Sequence, residues 1–107
     1  MKISGWGNNI NINSNVLYPK NNNEIIKILK DKNIKNILCR GLGRSYGDNG
    51  LNTVMISLAK YKKKIVINSK KDLLICSANL SFKEASEELI QKGYFFHVTP
   101  GSSNVTI

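Results

Sequence analysis

Acidic residues are scarce in this chain of 107 residues: 7 aspartates and glutamates stand against 16 lysines and arginines, a formal net charge of +9 at pH 7. A basic excess of this size favours an anionic partner such as a phosphorylated ligand, a nucleic acid or an anionic lipid. The lysines are scattered through an Asn- and Ile-rich sequence. No zinc-ligand spacing, aromatic RNA-binding strand or recognition helix accompanies them. We therefore predict no nucleic-acid partner.

Long hydrophobic runs are also missing. No apolar run approaches the roughly 20 residues that cross a membrane, and residues 1–6 contain no signal-peptide core, so we predict a cytoplasmic protein without a membrane span. The only two cysteines, Cys39 and Cys76, lie far apart without metal-ligand spacing, which favours buried free thiols and no metal site. His97, the only histidine, lies in an apolar run without an acidic neighbour. We expect it to be structural and assign no catalytic residue.

Apolar and polar periodicity predicts an α+β fold. A strand, a helix and a second strand come first, which implies a right-handed βαβ unit with parallel strands. A hairpin follows, and then a helix that begins with a capping box formed by Ser81 and Glu84. The predicted strands are 16–18, 34–39, 54–58 (a strand or an extended edge), 64–68, 73–78 and 94–98. The first predicted helix has Asn22 or Asn23 as its N-cap and ends near 31–33. The second has Ser81 as its N-cap, and Gly93 marks its carboxyl end.

A glycine-rich segment, residues 40–52, follows the second predicted strand. Glycine permits positive φ and a close approach of the main chain to a ligand, and successive free N–H groups form a concave site for anions. Arg40 and Arg44 add guanidinium groups that can fork onto phosphate oxygens. Ligands of α/β sheets bind at the carboxyl ends of strands, so the segment predicts a cradle for a phosphate or pyrophosphate.

Two common phosphate-binding motifs do not fit this segment. A Walker loop needs a lysine followed by serine or threonine after its last glycine. A Rossmann fingerprint needs Gly-x-Gly-x-x-Gly opening a helix, and Gly41, Gly43 and Gly47 miss that spacing by one residue. Spacing alone therefore leaves two interpretations open, an ordinary turn and a ligand-binding loop.

The segment resembles the first flavin loop of FAD-linked oxidases of the vanillyl-alcohol oxidase type, also called the PCMH-type FAD-binding superfamily. The resemblance is closest to the decaprenylphosphoryl-ribose oxidase branch and the sugar and lactone oxidases near it. There, Arg-Gly-x-Gly-Arg-Ser-Tyr-Gly-Asp wraps the FAD pyrophosphate. Residues 4–8, Ser-Gly-Trp-Gly-Asn, resemble the family's amino-terminal Gly-Trp-Gly. Residues 99–107, Thr-Pro-Gly-Ser-Ser-Asn-Val-Thr-Ile, resemble its second flavin loop.

The resemblance implies a PCMH-type FAD-binding domain. Residues 1–58 would form its first subdomain, a βαβ unit with the pyrophosphate loop, and residues 59–107 the start of a second mixed α/β subdomain. In the family a Gly-Gly pair that opens a helix comes next, so we expect the second subdomain to be truncated. The implied FAD contacts are Cys39, Arg40, Gly41, Leu42, Gly43, Arg44, Ser45, Tyr46, Gly47, Asp48, Asn49, Gly101, Thr106 and Ile107.

The resemblance also implies an activity. Relatives that attach flavin covalently carry a histidine in a Gly-His-Ser setting, whereas Arg44 stands at that position here, which implies non-covalent FAD. The implied reaction is oxidation of a CH–OH group of a sugar or polyol by the full-length protein, with this portion inactive alone. The alternatives are a lactone or 2-hydroxy-acid oxidase or a cell-wall precursor reductase with the same fold, and a basic non-enzymatic module that binds an anionic partner.

Overall fold

The computed structural model describes residues 1–107, which divide into two compact units, Met1–Tyr61 and Lys62–Ile107. Seven short strands and two α-helices give the predicted α+β composition. The division lies close to the expected boundary after residue 58. The assignment of the two units to the two FAD-binding subdomains stays a prediction.

The first unit begins with a hairpin that the sequence analysis did not predict. Strand β1 (Lys2–Ser4) pairs antiparallel with β2 (Asn11–Asn13). Residues 10–13 alternate isoleucine and asparagine, and this period of two is typical of a half-buried strand, although it is easily overlooked in an Asn-rich segment. Ile3 of β1 is buried, so the hairpin contributes to the core of this unit.

A three-stranded parallel sheet forms the centre of the first unit. It contains β3 (Asn15–Leu17), β4 (Leu38–Arg40) and β5 (Val54–Ser57) in the order β3-β5-β4. Both outer strands run parallel to β5, so the predicted parallel arrangement is confirmed, but β5 lies between them and is not an edge. Met55 and Ile56 are buried because a central strand of a parallel sheet is covered on both faces. β4 is shorter than the predicted strand 34–39.

Helix α1 (Asn22–Lys30) connects β3 to β4. Its N-cap is Asn21, one residue before the nearer of the two predicted caps, and the Asn21 side-chain oxygen accepts the N–H of Glu24 at 3.0 Å. The helix ends before Asp31, as predicted. None of its residues is fully buried: Ile25 and Ile28 are half-buried, whereas Ile26 and Leu29 are exposed.

The second unit agrees better with the prediction. Strands β6 (Ile65–Asn68) and β7 (Leu73–Cys76) form the expected antiparallel hairpin. Helix α2 (Phe82–Gln91) begins at the predicted capping box. In the capping box the Ser81 hydroxyl accepts the N–H of Glu84, and the Glu84 carboxylate accepts the N–H of Ser81. The buried apolar residues of this unit are Leu80, Ala85 and Leu89.

Two predictions of burial are wrong. Residues 94–98 form no strand, because no other segment of the chain pairs with them, and Phe95, His97 and Val98 are exposed. A strand is stabilised by its ladder partner, so apolar composition alone is not sufficient. Cys39 is exposed because side chains alternate between the faces of a strand, and it lies on the opposite face of β4 from the half-buried Leu38 and Arg40. Cys76 is half-buried, and both thiols are free.

The capping box predicts a specific pH dependence of stability. A hydrogen bond from the Lys63 ammonium, with further bonds from Ser81, lowers the pKa of Glu84 from 4.5 to about 2. The charged carboxylate therefore stabilises the fold fully above pH 4.5, and this contribution is lost as the pH falls towards 2. We expect Glu84→Gln to flatten this part of the dependence of the unfolding free energy on pH, measured by urea denaturation.

Glu87→Gln is the matched control for this experiment, because Glu87 lies exposed on the same helix. It should leave the acid dependence as in the parent protein. An acid dependence in the Glu84→Gln variant as steep as that of the parent would contradict the assignment.

Candidate functional site

The carboxyl ends of the three parallel strands face a cavity of about 420 Å³ in the first unit. Tyr18 directly follows β3, Gly41 and Leu42 directly follow β4, and Ser57 ends β5, and all four line the cavity. Ligands of α/β sheets bind outside this edge because the loops that leave the strands meet there. The glycine-rich loop thus begins inside the cavity that the topology favours for a ligand.

The charges around the cavity are positive. Lys2 and Arg40 line it, and no aspartate or glutamate does. Lys60 lies above the ring of Tyr18, with Nζ 5.0 Å from the ring centroid, in a cation–π contact. Positive groups without carboxylates attract an anionic ligand, and the low dielectric of a cleft strengthens that field.

The loop beyond the cavity offers free hydrogen-bond donors. The main-chain N–H groups from Leu42 to Asp48 donate no hydrogen bond within the chain. The next turns are closed, because the N–H of Asn49 donates to Tyr46 O at 3.3 Å and that of Leu51 to Asp48 O at 2.9 Å. A run of unpaired N–H groups is what an anion with several acceptor oxygens requires.

Two glycines shape this run of donors. Gly43 has φ +71° and Gly47 has φ +56°, in the left-handed region that residues with a side chain rarely adopt. Positive φ was expected in this segment because of its glycines. Around them, Arg44, Ser45 and Tyr46 are exposed, so their side chains are accessible to a ligand.

The amino-terminal segment packs directly against the loop. The main-chain N–H of Trp6 donates to Ser45 O at 3.1 Å. The ring of Trp6 meets the ring of Tyr46 edge-on, with 5.8 Å between the ring centroids. A Cβ atom on Gly5 would lie 2.4 Å from Gly47 O, so only glycine fits there. The Gly-Trp-Gly motif is therefore part of the loop's structure. Trp6 remains 59% exposed although it packs against the loop.

The contribution of Gly5 was not evident from the sequence. It contacts a segment some forty residues away, and neither segment carries a local pattern that indicates the other. The resemblance to the family gave only the order of the Gly-Trp-Gly motif and the glycine-rich loop along the chain, and not a contact between them. The position of Lys2, Tyr18 and Ser57 at the cavity was also not evident from the sequence, because it follows from the order of the strands.

The predicted contacts of the closing loop lie in the second unit. Ile107 N–H donates to Leu80 O at 2.9 Å, and Thr106 forms an isolated antiparallel bridge with Ser81. Gly101 is exposed, and a Cβ atom there would meet nothing within 4 Å. The main-chain donor of Ile107 is thus already used within the chain, whereas Gly101 is accessible.

Comparison with known proteins identifies the family of the chain. Residues 14–107 match the family described as FAD binding domain. The chain belongs to this FAD-binding domain family. The resemblance inferred from the three motifs is therefore confirmed, and FAD is the cofactor of the fold.

One relative is the decaprenylphosphoryl-beta-D-ribose oxidase of Mycolicibacterium smegmatis (strain ATCC 700084 / mc(2)155). The two sequences are 26% identical over 111 residues, an alignment that covers 99% of this chain and 24% of the relative. The chain therefore spans about a quarter of the length of this curated relative. The alignment includes the Gly-Trp-Gly segment, which precedes the residues matched to the family.

Two further findings bear on other site types. No group of three or more histidine, cysteine, aspartate or glutamate side chains is placed to hold a metal ion. Neither α1 nor α2 has the length and apolar character of a membrane-crossing helix.

The contact between Gly5 and the loop predicts the effect of an added methyl group. In a Gly5→Ala variant the new Cβ atom would overlap Gly47 O, which is main chain and cannot rotate away. We expect the loop to separate from Trp6 and the unfolding free energy to fall by about 1–3 kcal/mol, the usual cost of overpacking. Because Trp6 is the only tryptophan, its fluorescence emission should move to longer wavelength.

Gly7→Ala is the matched control within the same motif. Its Cβ atom would lie 3.3 Å from Oδ1 of Asn9, a flexible side chain that can move. We expect a change in stability within about 0.5 kcal/mol, typical of surface substitutions. Equal effects of the two variants on Trp6 emission would contradict the described contact.

Proposed function

We propose that this chain is the FAD-binding portion of a flavin-dependent oxidoreductase, and that residues 39–49 hold the FAD pyrophosphate. The observation that carries the proposal is the run of free N–H groups from Leu42 to Asp48, at the carboxyl end of β4 and beside a basic cavity. A pyrophosphate has acceptor oxygens and negative charge but no donors. The N–H groups of the loop are donors without a carbonyl partner, so they complement the acceptor oxygens of the pyrophosphate.

The binding that we propose is non-covalent. The first flavin loop contains no histidine, since Arg44 stands where covalently linked relatives have one. The only histidine of the chain, His97, lies in the second unit. Arg44 is exposed, so its guanidinium is available to the phosphate oxygens.

The proposed activity is oxidation of a CH–OH group in a sugar, a polyol or a related substrate. Its support is the name of the relative, a decaprenylphosphoryl-beta-D-ribose oxidase, whose substrate carries a ribose. When bound, the flavin would accept the hydride removed from the substrate carbon. The role of the loop residues is to bind and orient the cofactor. We further propose that residues 1–58 and 59–107 belong to two successive FAD-binding subdomains. We also propose that residues 1–107 alone show no turnover and do not bind nucleic acid.

If the loop binds the pyrophosphate, ligands that contain a pyrophosphate should bind more tightly than a ligand with a single phosphate. FAD and ADP should bind the purified protein with similar affinity, measured by equilibrium dialysis. FMN has one phosphate and should bind at least tenfold more weakly, because one lost charge-assisted hydrogen bond of about 1.5–3 kcal/mol corresponds to roughly a tenfold change or more. Acid precipitation of the FAD complex should release all the flavin into the supernatant.

The outcomes of this experiment separate the alternatives. Flavin that stays with the precipitate would contradict non-covalent binding and leave the family assignment intact. Equal binding of FMN and FAD would contradict the pyrophosphate role of the loop. Salt-dependent binding to DNA or RNA together with no binding of FAD or ADP would favour the basic non-enzymatic module.

A further inference from the structure

The guanidinium of Arg40 is directed at the protein's own main chain. Arg40 is the last residue of β4 and is half-buried. Its Nη2 donates to Ser4 O at 3.0 Å, and its Nη1 lies 3.5 Å from Gly50 O. One side chain therefore connects the amino-terminal segment, the end of β4 and the end of the glycine loop.

The same group determines why residue 43 is a glycine. A Cβ atom on Gly43 would lie 2.2 Å from Nη2 and 2.8 Å from Cζ of Arg40. The guanidinium thus occupies the space beneath the loop where a side chain would go. Gly43 permits the positive φ of the loop, and a side chain at this position would also have to displace the Arg40 guanidinium.

The two arginines of the loop differ in their surroundings. Arg44 is exposed and makes no hydrogen bond or ion pair within the chain, whereas Arg40 already uses both terminal nitrogens on carbonyl oxygens. A planar fork is well suited to holding two carbonyl groups at a fixed separation, and a lysine ammonium does not reproduce it.

We propose that Arg40 is a positioning residue for the anion-binding loop and that Arg44 is the arginine that meets the anion. The hydrogen bonds of Arg40 hold Ser4 and Gly50 close to the end of β4. This holds the N–H groups from Leu42 to Asp48 in the arrangement that receives a ligand. The identity of that ligand as FAD rests on the proposed function, but the positioning role does not.

The first arm of the test needs no ligand. Trp6 N–H is bonded to Ser45 O, so its hydrogen exchange reports whether the loop is docked on the amino-terminal segment. In Arg40→Lys we expect the exchange at Trp6 to accelerate at least tenfold, while the amides of Met55 and Ile56 in the central strand keep their rates. Arg44→Gln should change none of these three rates.

A pair of glycine variants gives the same test with both arginines present. Gly43 and Gly47 share a positive φ, but a Cβ atom at Gly47 would meet nothing within 4 Å. Gly43→Ala should displace the Arg40 guanidinium and accelerate exchange at Trp6, as Arg40→Lys does. Gly47→Ala carries a similar backbone strain and should leave that rate within about threefold of the parent.

The second arm measures the affinity for FAD at several salt concentrations. A direct contact between a guanidinium and a phosphate is screened by salt, whereas the positioning of neutral N–H groups is much less so. Arg40→Gln should weaken binding at least tenfold and leave the salt dependence of the parent unchanged. Arg44→Gln should weaken binding and also make it less dependent on salt.

Each result supports or overturns the proposal. Unchanged exchange at Trp6 in both Arg40→Lys and Gly43→Ala would overturn the proposal. A reduced salt dependence in Arg40→Gln together with a normal one in Arg44→Gln would also overturn it. If the parent protein binds no FAD, the proposed function fails while the exchange arm still decides the positioning role. If Arg40→Lys does not fold, the comparison of Gly43→Ala with Gly47→Ala decides it.

Discussion

The first unit depends on a close approach between two segments of main chain, in which there is no room for side chains. The segment that carries Gly5 and Trp6 lies against the carbonyl groups of Ser45 and Gly47. Because this contact uses carbonyl groups of the loop and not its N–H groups, the loop is held in place while its donors stay free. A loop that satisfied its own N–H groups would be an ordinary turn. The free donors favour the ligand-binding loop that we propose over the ordinary turn.

Local chemistry made part of the structure predictable. The capping box of Ser81 and Glu84, the hairpin of β6 and β7, and the loop after β4 each depend on residues that are close in sequence. The glycines of the loop also carry a local signal, since positive φ belongs to single residues. For these elements the prediction and the structure agree.

Contacts between distant segments were not predictable in the same way. The order β3-β5-β4 places the third strand in the centre, and no pattern within β5 specifies its neighbours. Residues 94–98 have the composition of a strand but no partner in the chain. The function of Arg40 has the same origin: the sequence shows a guanidinium in a glycine loop, whereas only the structure shows that Ser4 O and Gly50 O accept its hydrogen bonds.

The central claim is that the loop N–H groups from Leu42 to Asp48 bind the pyrophosphate of FAD. Its most direct test is an amide spectrum of the nitrogen-15-labelled protein during a titration with ADP, which lacks the flavin ring and its optical contributions. We expect the amide resonances of 42–48 to shift with a common affinity and those of β6 and β7 to stay unchanged. Saturable ADP binding that leaves the amides of 42–48 unshifted would contradict it.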